Sequence, residues 1–259
     1  MPFLEINGAR LHYRWDGPED RPALVLSNSL GTNLSMWDQQ VRDFSRHFRL
    51  LRYDMRGHGE SGLPAAACTI DELGGDVIAL LDALELQRVS FCGLSLGGAI
   101  GQWIGIHHPE RVGKLVLANT AAKFGTPEDW TARIEQVRRA GIESLLPGAL
   151  DRWFTADYQA AEPEVVARIR AMLLSTPREG YIACCEALRE IDQRALLAKI
   201  AAPTLVISGA GDVATPAAQG EFLARAIPGA RFLWLPAAHL SNIEAAPQFT
   251  SAVLEFLLC

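Results

Sequence analysis

Val89-Ser90-Phe91-Cys92-Gly93-Leu94-Ser95-Leu96-Gly97-Gly98 is the stretch on which the reading of the fold turns. A short apolar run with strand character leads into Gly-x-Ser-x-Gly, and the residues after it, to His107, carry helical spacing. A serine on so tight a strand-to-helix turn is lifted clear of the sheet and held as a nucleophile. The flanking glycines have a steric reason, because side chains there would collide with neighbouring backbone. The same pentapeptide also fits an ordinary turn, so its weight depends on what surrounds it.

Outward from this turn, short apolar runs bounded by Gly, Pro, Asn or Asp alternate with helical patterns, as in βα units on a parallel sheet. The pattern predicts strands at 10–15, 23–27, 49–53, 89–92, 114–118, 204–208 and 231–235, with an extra edge strand at 3–6. Three of these runs, at 23–26, 115–118 and 204–207, are almost wholly apolar, as strands covered on both faces should be. Residues 10–15 alternate polar and apolar, which predicts an antiparallel strand with one wet face near the sheet edge. Helices are predicted at 37–44, 70–84, 96–107, 217–226 and 247–257. Between 121 and 199 the strand signal vanishes. Helical patterns broken at Pro127, Pro147, Pro163 and Pro177 predict a helical lid inserted into a core made of 1–120 and 200–259.

A serine nucleophile needs a base and an acid that orients the base, and these should follow later strands in the order Ser, Asp, His. Asp212 lies in Gly209-Ala210-Gly211-Asp212 after the strand at 204–208, and His239 lies in Pro236-Ala237-Ala238-His239 after the strand at 231–235. Both therefore belong at the sheet edge where parallel α/β proteins place ligands. His12, His47, His107 and His108 read as strand, turn and helix-end residues. His58, within 54–62, reads as a loop-shaping element near the site. Two N–H donors must also face the oxyanion: the backbone of Leu96, and that of Leu30 in the turn Asn28-Ser29-Leu30-Gly31 after the strand at 23–27.

Composition narrows the classes. The chain has 259 residues, 49% of them apolar, and a formal net charge of −6 with no dense basic run, so neither disorder nor nucleic-acid binding is expected. No apolar stretch is long enough for a bilayer, and the first six residues lack an export pattern, so a cytoplasmic location is expected. Five cysteines without ligand-like spacing predict reduced, mostly buried thiols, with no metal.

Through residues 93–97, the loop 54–62, Asp212 and His239, the chain resembles the α/β-hydrolase superfamily over its whole length. Within that superfamily, residues 27–32, 53–61 and 93–98 are similar to those of the 3-oxoadipate enol-lactonases. Asn28-Ser29, where most α/β-hydrolases have His-Gly, is a departure that those lactonases share. The resemblance implies an α/β-hydrolase fold with a mostly parallel central sheet, helices on both faces and the helical lid. It also implies hydrolysis of 3-oxoadipate enol-lactone in the β-ketoadipate pathway through Ser95, His239 and Asp212, with no metal or organic cofactor. The expected partner is a small carboxylated lactone. Ser29, Trp130 and Arg133 are the substrate-binding candidates, Trp130 and Arg133 sharing a helix face at i and i+3. Assembly into a homo-oligomer is left open. The same triad also serves carbon–carbon hydrolases of ring-cleavage products, carboxylesterases and perhydrolases, and a scaffold that binds ligand without turnover is a further alternative.

Overall fold

The computed structural model describes residues 2–63 and 68–259. In chain order its strands and helices are β1 (Phe3–Ile6), β2 (Ala9–Asp16), β3 (Ala23–Ser27), α1 (Asp38–Phe44), β4 (Arg49–Tyr53), α2 (Ile70–Ala83), β5 (Val89–Leu94), α3 (Leu96–His107) and β6 (Val112–Ala118). There follow α4 (Pro127–Ala140), α5 (Leu146–Trp153), α6 (Ala156–Ala161), α7 (Pro163–Leu174), α8 (Arg178–Glu190), β7 (Thr204–Gly209), α9 (Ala217–Ala226), β8 (Arg231–Leu235), α10 (Ser241–Glu244) and α11 (Ala246–Leu258). Each predicted strand and helix lies on one of these elements, within two residues at either end.

The strands form one sheet in the order β1-β2-β4-β3-β5-β6-β7-β8. β1 and β2 run antiparallel to their neighbours, and every pairing from β4 to β8 is parallel. The chain steps one way from β3 to β4 and the other way from β4 to β5 and onward. Right-handed crossovers therefore put α1 on one face and α2, α3 and α9 on the other. α11 joins α1, so both faces are covered. The three apolar runs are correspondingly sealed: Leu24, Val25, Leu26, Leu115, Val116, Leu117 and Ile207 have no exposed surface. Burial of each such side chain stabilises the fold by about 2 kcal/mol.

The alternation in β2 needs a correction. Leu11 and His12 are both buried, because β1 covers the outer edge and His12 Nδ1 bonds Asp54 Oδ2 at 2.7 Å. The polar residue facing inward is thus a paired histidine, and the face is not simply wet.

Helices α4 to α8 all lie between β6 and β7. The prolines that break the pattern there start helices: Pro127 and Pro163 hold the first positions of α4 and α7, and Pro177 caps α8. Thr126 and Asp129 close a capping box on α4, and Gly141, with φ of 73°, ends it. Four of the five cysteines are buried and Cys259 is exposed.

Candidate active site

The turn after β5 holds Ser95 at φ 59° and ψ −116°, a strained backbone for a residue with a side chain. Its neighbours leave no alternative to glycine. A Cβ on Gly93 would overlap the Gly97 carbonyl, and one on Gly97 would overlap the Ser27 carbonyl. The strain is held by hydrogen bonds: Ser95 N donates to Ala118 O at 2.9 Å, Thr120 Oγ1 donates to Ser95 O at 2.7 Å, and Gly97 N donates to Asn28 O at 2.9 Å. The serine thus stands at the carboxyl end of the sheet, above the point where β3, β5 and β6 meet.

Asp212 and His239 arrive from the ends of β7 and β8. His239 Nδ1 bonds Asp212 Oδ2 at 2.9 Å. The same oxygen accepts from Asn119 Nδ2 at 2.9 Å and Thr215 Oγ1 at 2.7 Å, while Oδ1 accepts from Ala214 N at 2.8 Å and Thr215 N at 2.9 Å. Burial alone would raise the Asp212 pKa. The charge and hydrogen bond of His239, with the donors from Asn119 and Thr215, outweigh burial and bring it down to about 2. An ionised Asp212 fixes the proton of His239 on Nδ1 and leaves Nε2 as the acceptor. Ser95 and His239 both line one cavity of about 440 Å³. Among the described residues no hydrogen bond of 3.5 Å or less joins them, and such bonds commonly tighten only around substrate.

Asn28 stands at the end of β3 with its side-chain amide and its carbonyl all engaged. Its Nδ2 donates to Tyr53 O at 2.7 Å, its Oδ1 accepts from Trp37 Nε1 at 2.9 Å, and its carbonyl takes the Gly97 N–H. It ties β3, β4 and the serine turn together. The departure at this position is therefore structural. His58 fixes the next piece: Gly31 N donates to His58 Nε2 at 3.0 Å, so Nδ1 carries the proton and faces Arg56 O at 3.3 Å. Burial lowers the His58 pKa to about 4 and keeps it neutral. The loop-shaping reading of His58 matches this geometry. Among the described residues, neither Leu30 N–H nor Leu96 N–H donates to a protein acceptor, which leaves both available to an oxyanion.

Ser29, Leu30, Trp130 and Arg133 all line the cavity. Trp130 Nε1 donates to Phe124 O at 2.7 Å, so the ring offers its face, and the Arg133 guanidinium stacks 4.8 Å from its centroid. Arg152, Tyr181 and Val213 line the cavity too and were not singled out from sequence. Nor were Asn119, Thr120 and Thr215, although Asn119-Thr120 directly follows a buried strand, the position from which α/β proteins supply site residues. Among the described residues no group of three or more His, Cys, Asp or Glu is placed to hold a metal ion, and no helix is long and apolar enough to cross a membrane. Taken together, the site holds a strained serine, an oriented histidine and two free N–H groups, the parts that acyl transfer requires.

The model of the α/β hydrolase fold family matches residues 22–246. The chain belongs to the α/β hydrolase fold family. Two curated relatives in it come from Acinetobacter baylyi. One, named 3-oxoadipate enol-lactonase 2, is 46% identical over 96% of this chain and 94% of its own. The other, named 3-oxoadipate enol-lactonase 1, is 39% identical over 93% of this chain and 91% of its own. Among solved structures, the enol-lactonase from Burkholderia xenovorans LB400 is 48% identical and matches with a TM-score of 0.98 over 100% of both chains. Within the α/β hydrolase fold family, these are proteins that this chain is similar to along almost its whole length.

Proposed function

We propose that the protein hydrolyses 3-oxoadipate enol-lactone to 3-oxoadipate through an acyl-enzyme on Ser95, in the catabolism of aromatic compounds in the cytoplasm. The observation that carries this reading is a guanidinium, that of Arg133, facing the same cavity as Ser95 and His239 in a chain of net charge −6. A general esterase pocket has no need of a cation there, whereas a lactone bearing a carboxylate does. The names of the similar proteins support the same substrate.

In this mechanism His239 Nε2 takes the Ser95 proton as Oγ attacks the lactone carbonyl. The Leu30 and Leu96 N–H groups hold the oxyanion. Collapse breaks the ring C–O bond, and the enol oxygen leaves with the proton from His239, then tautomerises to the ketone. His239 next deprotonates a water that attacks the acyl group, releasing the new carboxylate and restoring Ser95. Asp212 stays ionised throughout and holds the imidazole. Helices α4 to α8 act as the lid over this chemistry, with Arg133 braced on Trp130 to receive the substrate carboxylate.

The test is the loss of the lactone's ultraviolet absorbance on adding the purified protein. Turnover is expected, with Ser95→Ala retaining less than about a thousandth of it. Arg133→Ala should raise KM for the lactone far more than for a neutral ester. A protein that leaves the lactone intact but cleaves a vinylogous ring-cleavage product is a carbon–carbon hydrolase instead.

A further inference from the structure

Arg152, in the last turn of α5, is a second cation on the cavity. It and Arg133 are both half-buried, and both line the space shared with Ser95 and His239. Outside the cavity the protein pairs every arginine that it takes out of solvent. Arg49, Arg52, Arg56, Arg111 and Arg189 are the other buried or half-buried arginines, and each has a carboxylate oxygen within 4.0 Å. Among the described residues, neither Arg133 nor Arg152 has one. Burial lowers the Arg152 pKa, and the charge of Arg133 lowers it further, with only weak opposition from Tyr181 and Asp151. The charge of each guanidinium thus bears on the other across a cavity that both line.

Two like charges without a counter-ion are costly in such a setting, and an anion between them removes the cost. A cation at the end of α5 also complements the helix dipole, which accounts for its position in the sequence. The dipole does not require the guanidinium to turn into the cavity. Nor is the cavity part of a general basic field, since the chain is net acidic.

We propose that Arg152 and Arg133 form a two-guanidinium clamp for one carboxylate. The clamp makes the site selective for esters and lactones that carry a second, free carboxylate, with open-chain half-esters of short dicarboxylic acids as substrates alongside the lactone. It rests on the assignment of Ser95 as nucleophile. With 4-nitrophenyl hydrogen succinate, Ser95 takes the succinyl group and 4-nitrophenolate leaves. Water then splits the acyl-enzyme to succinate and free Ser95.

The experiment compares kcat/KM for 4-nitrophenyl hydrogen succinate and 4-nitrophenyl acetate in the wild type, Arg152→Gln, Arg152→Lys and Arg133→Gln. The wild type should prefer the succinate ester. Arg152→Gln should cut that preference about tenfold, through KM, and Arg152→Lys should restore part of it. An unaltered preference in folded Arg152→Gln overturns the clamp. Should that variant fail to fold, glutarate and glutaramide as inhibitors of acetate turnover by the wild type decide the matter. Competitive inhibition about tenfold stronger by glutarate supports the clamp, and equal inhibition overturns it. A wild type that prefers the succinate ester yet leaves the enol-lactone intact keeps the clamp and overturns the lactonase reading. One that opens the lactone with no preference for the succinate ester does the reverse.

Discussion

Asn119, one residue past β6, has a φ of 45°, a backbone that asparagine tolerates better than most side chains. From there its Nδ2 reaches both Asp212 Oδ2 and Ala238 O, and Ser241 Oγ donates to its Oδ1. The amide thus aligns the acid and the loop before His239. Asn119→Gly keeps the backbone and removes the amide; kcat on 4-nitrophenyl acetate should fall roughly tenfold with little change in KM, and an unchanged kcat sinks this role. His58 carries a pH prediction. Its pKa is near 6.5 when unfolded and about 4 when folded, so the unfolded chain binds the extra proton first and stability is lost as pH falls from 6.5 through 4. Between pH 7.5 and 5 this amounts to about 2 kcal/mol, to be measured by urea unfolding. In His58→Gln, whose amide can still accept from Gly31, that part of the pH slope should vanish. Identical slopes in both proteins count against it. At this scale the convergence of Ser95, Asp212 and His239 on one site was legible, because a serine nucleophile demands those residue types in a known chain order. Asn119 and Arg152 escaped notice because a lone amide or arginine acquires a role only from the direction in which the fold points it.

Among the elements, the strands were the most readable, since a sheet buried on both faces forces apolar runs that few other structures require. The short helices between β6 and β7 were visible as helical but not separable, as prolines that begin helices look the same in sequence as prolines that end them. Contacts between elements were invisible, and Glu244 is the clearest case. Its carboxylate, on α10, accepts from Ala238 N at 2.8 Å, from Thr155 N at 3.2 Å and from Thr155 Oγ1, while Leu240 N donates to Trp153 O at 3.1 Å. One side chain therefore joins the loop of His239 to the junction of α5 and α6. Glu244→Ala should lower unfolding stability by about 2 kcal/mol and reduce kcat more than it changes KM. Urea titration and steady-state kinetics check both, and a destabilised variant with full kcat would show that the link does not reach His239.

For the molecule as a whole, the sequence already implied the sheet edge at which the site forms, because Ser95, Asp212 and His239 each follow closely on a strand. That β1 and β2 lie at a sheet edge was legible, but that β4 is the strand they extend was not, since strand order depends on crossovers that no local pattern records. That same topology has a consequence for engineering. The helical segment leaves after β6 and ends after α8, and the chain on its two sides meets there, where Gln193 N donates to Ala122 O at 2.9 Å. Its two roots are adjacent, so α4 to α8 could be exchanged for the equivalent helices of another family member without opening the sheet. The graft would face one strict demand. Gly180 on α8 lies so tightly on the Gly57 carbonyl that any Cβ would overlap it, and only a donor with glycine at that crossing would seat.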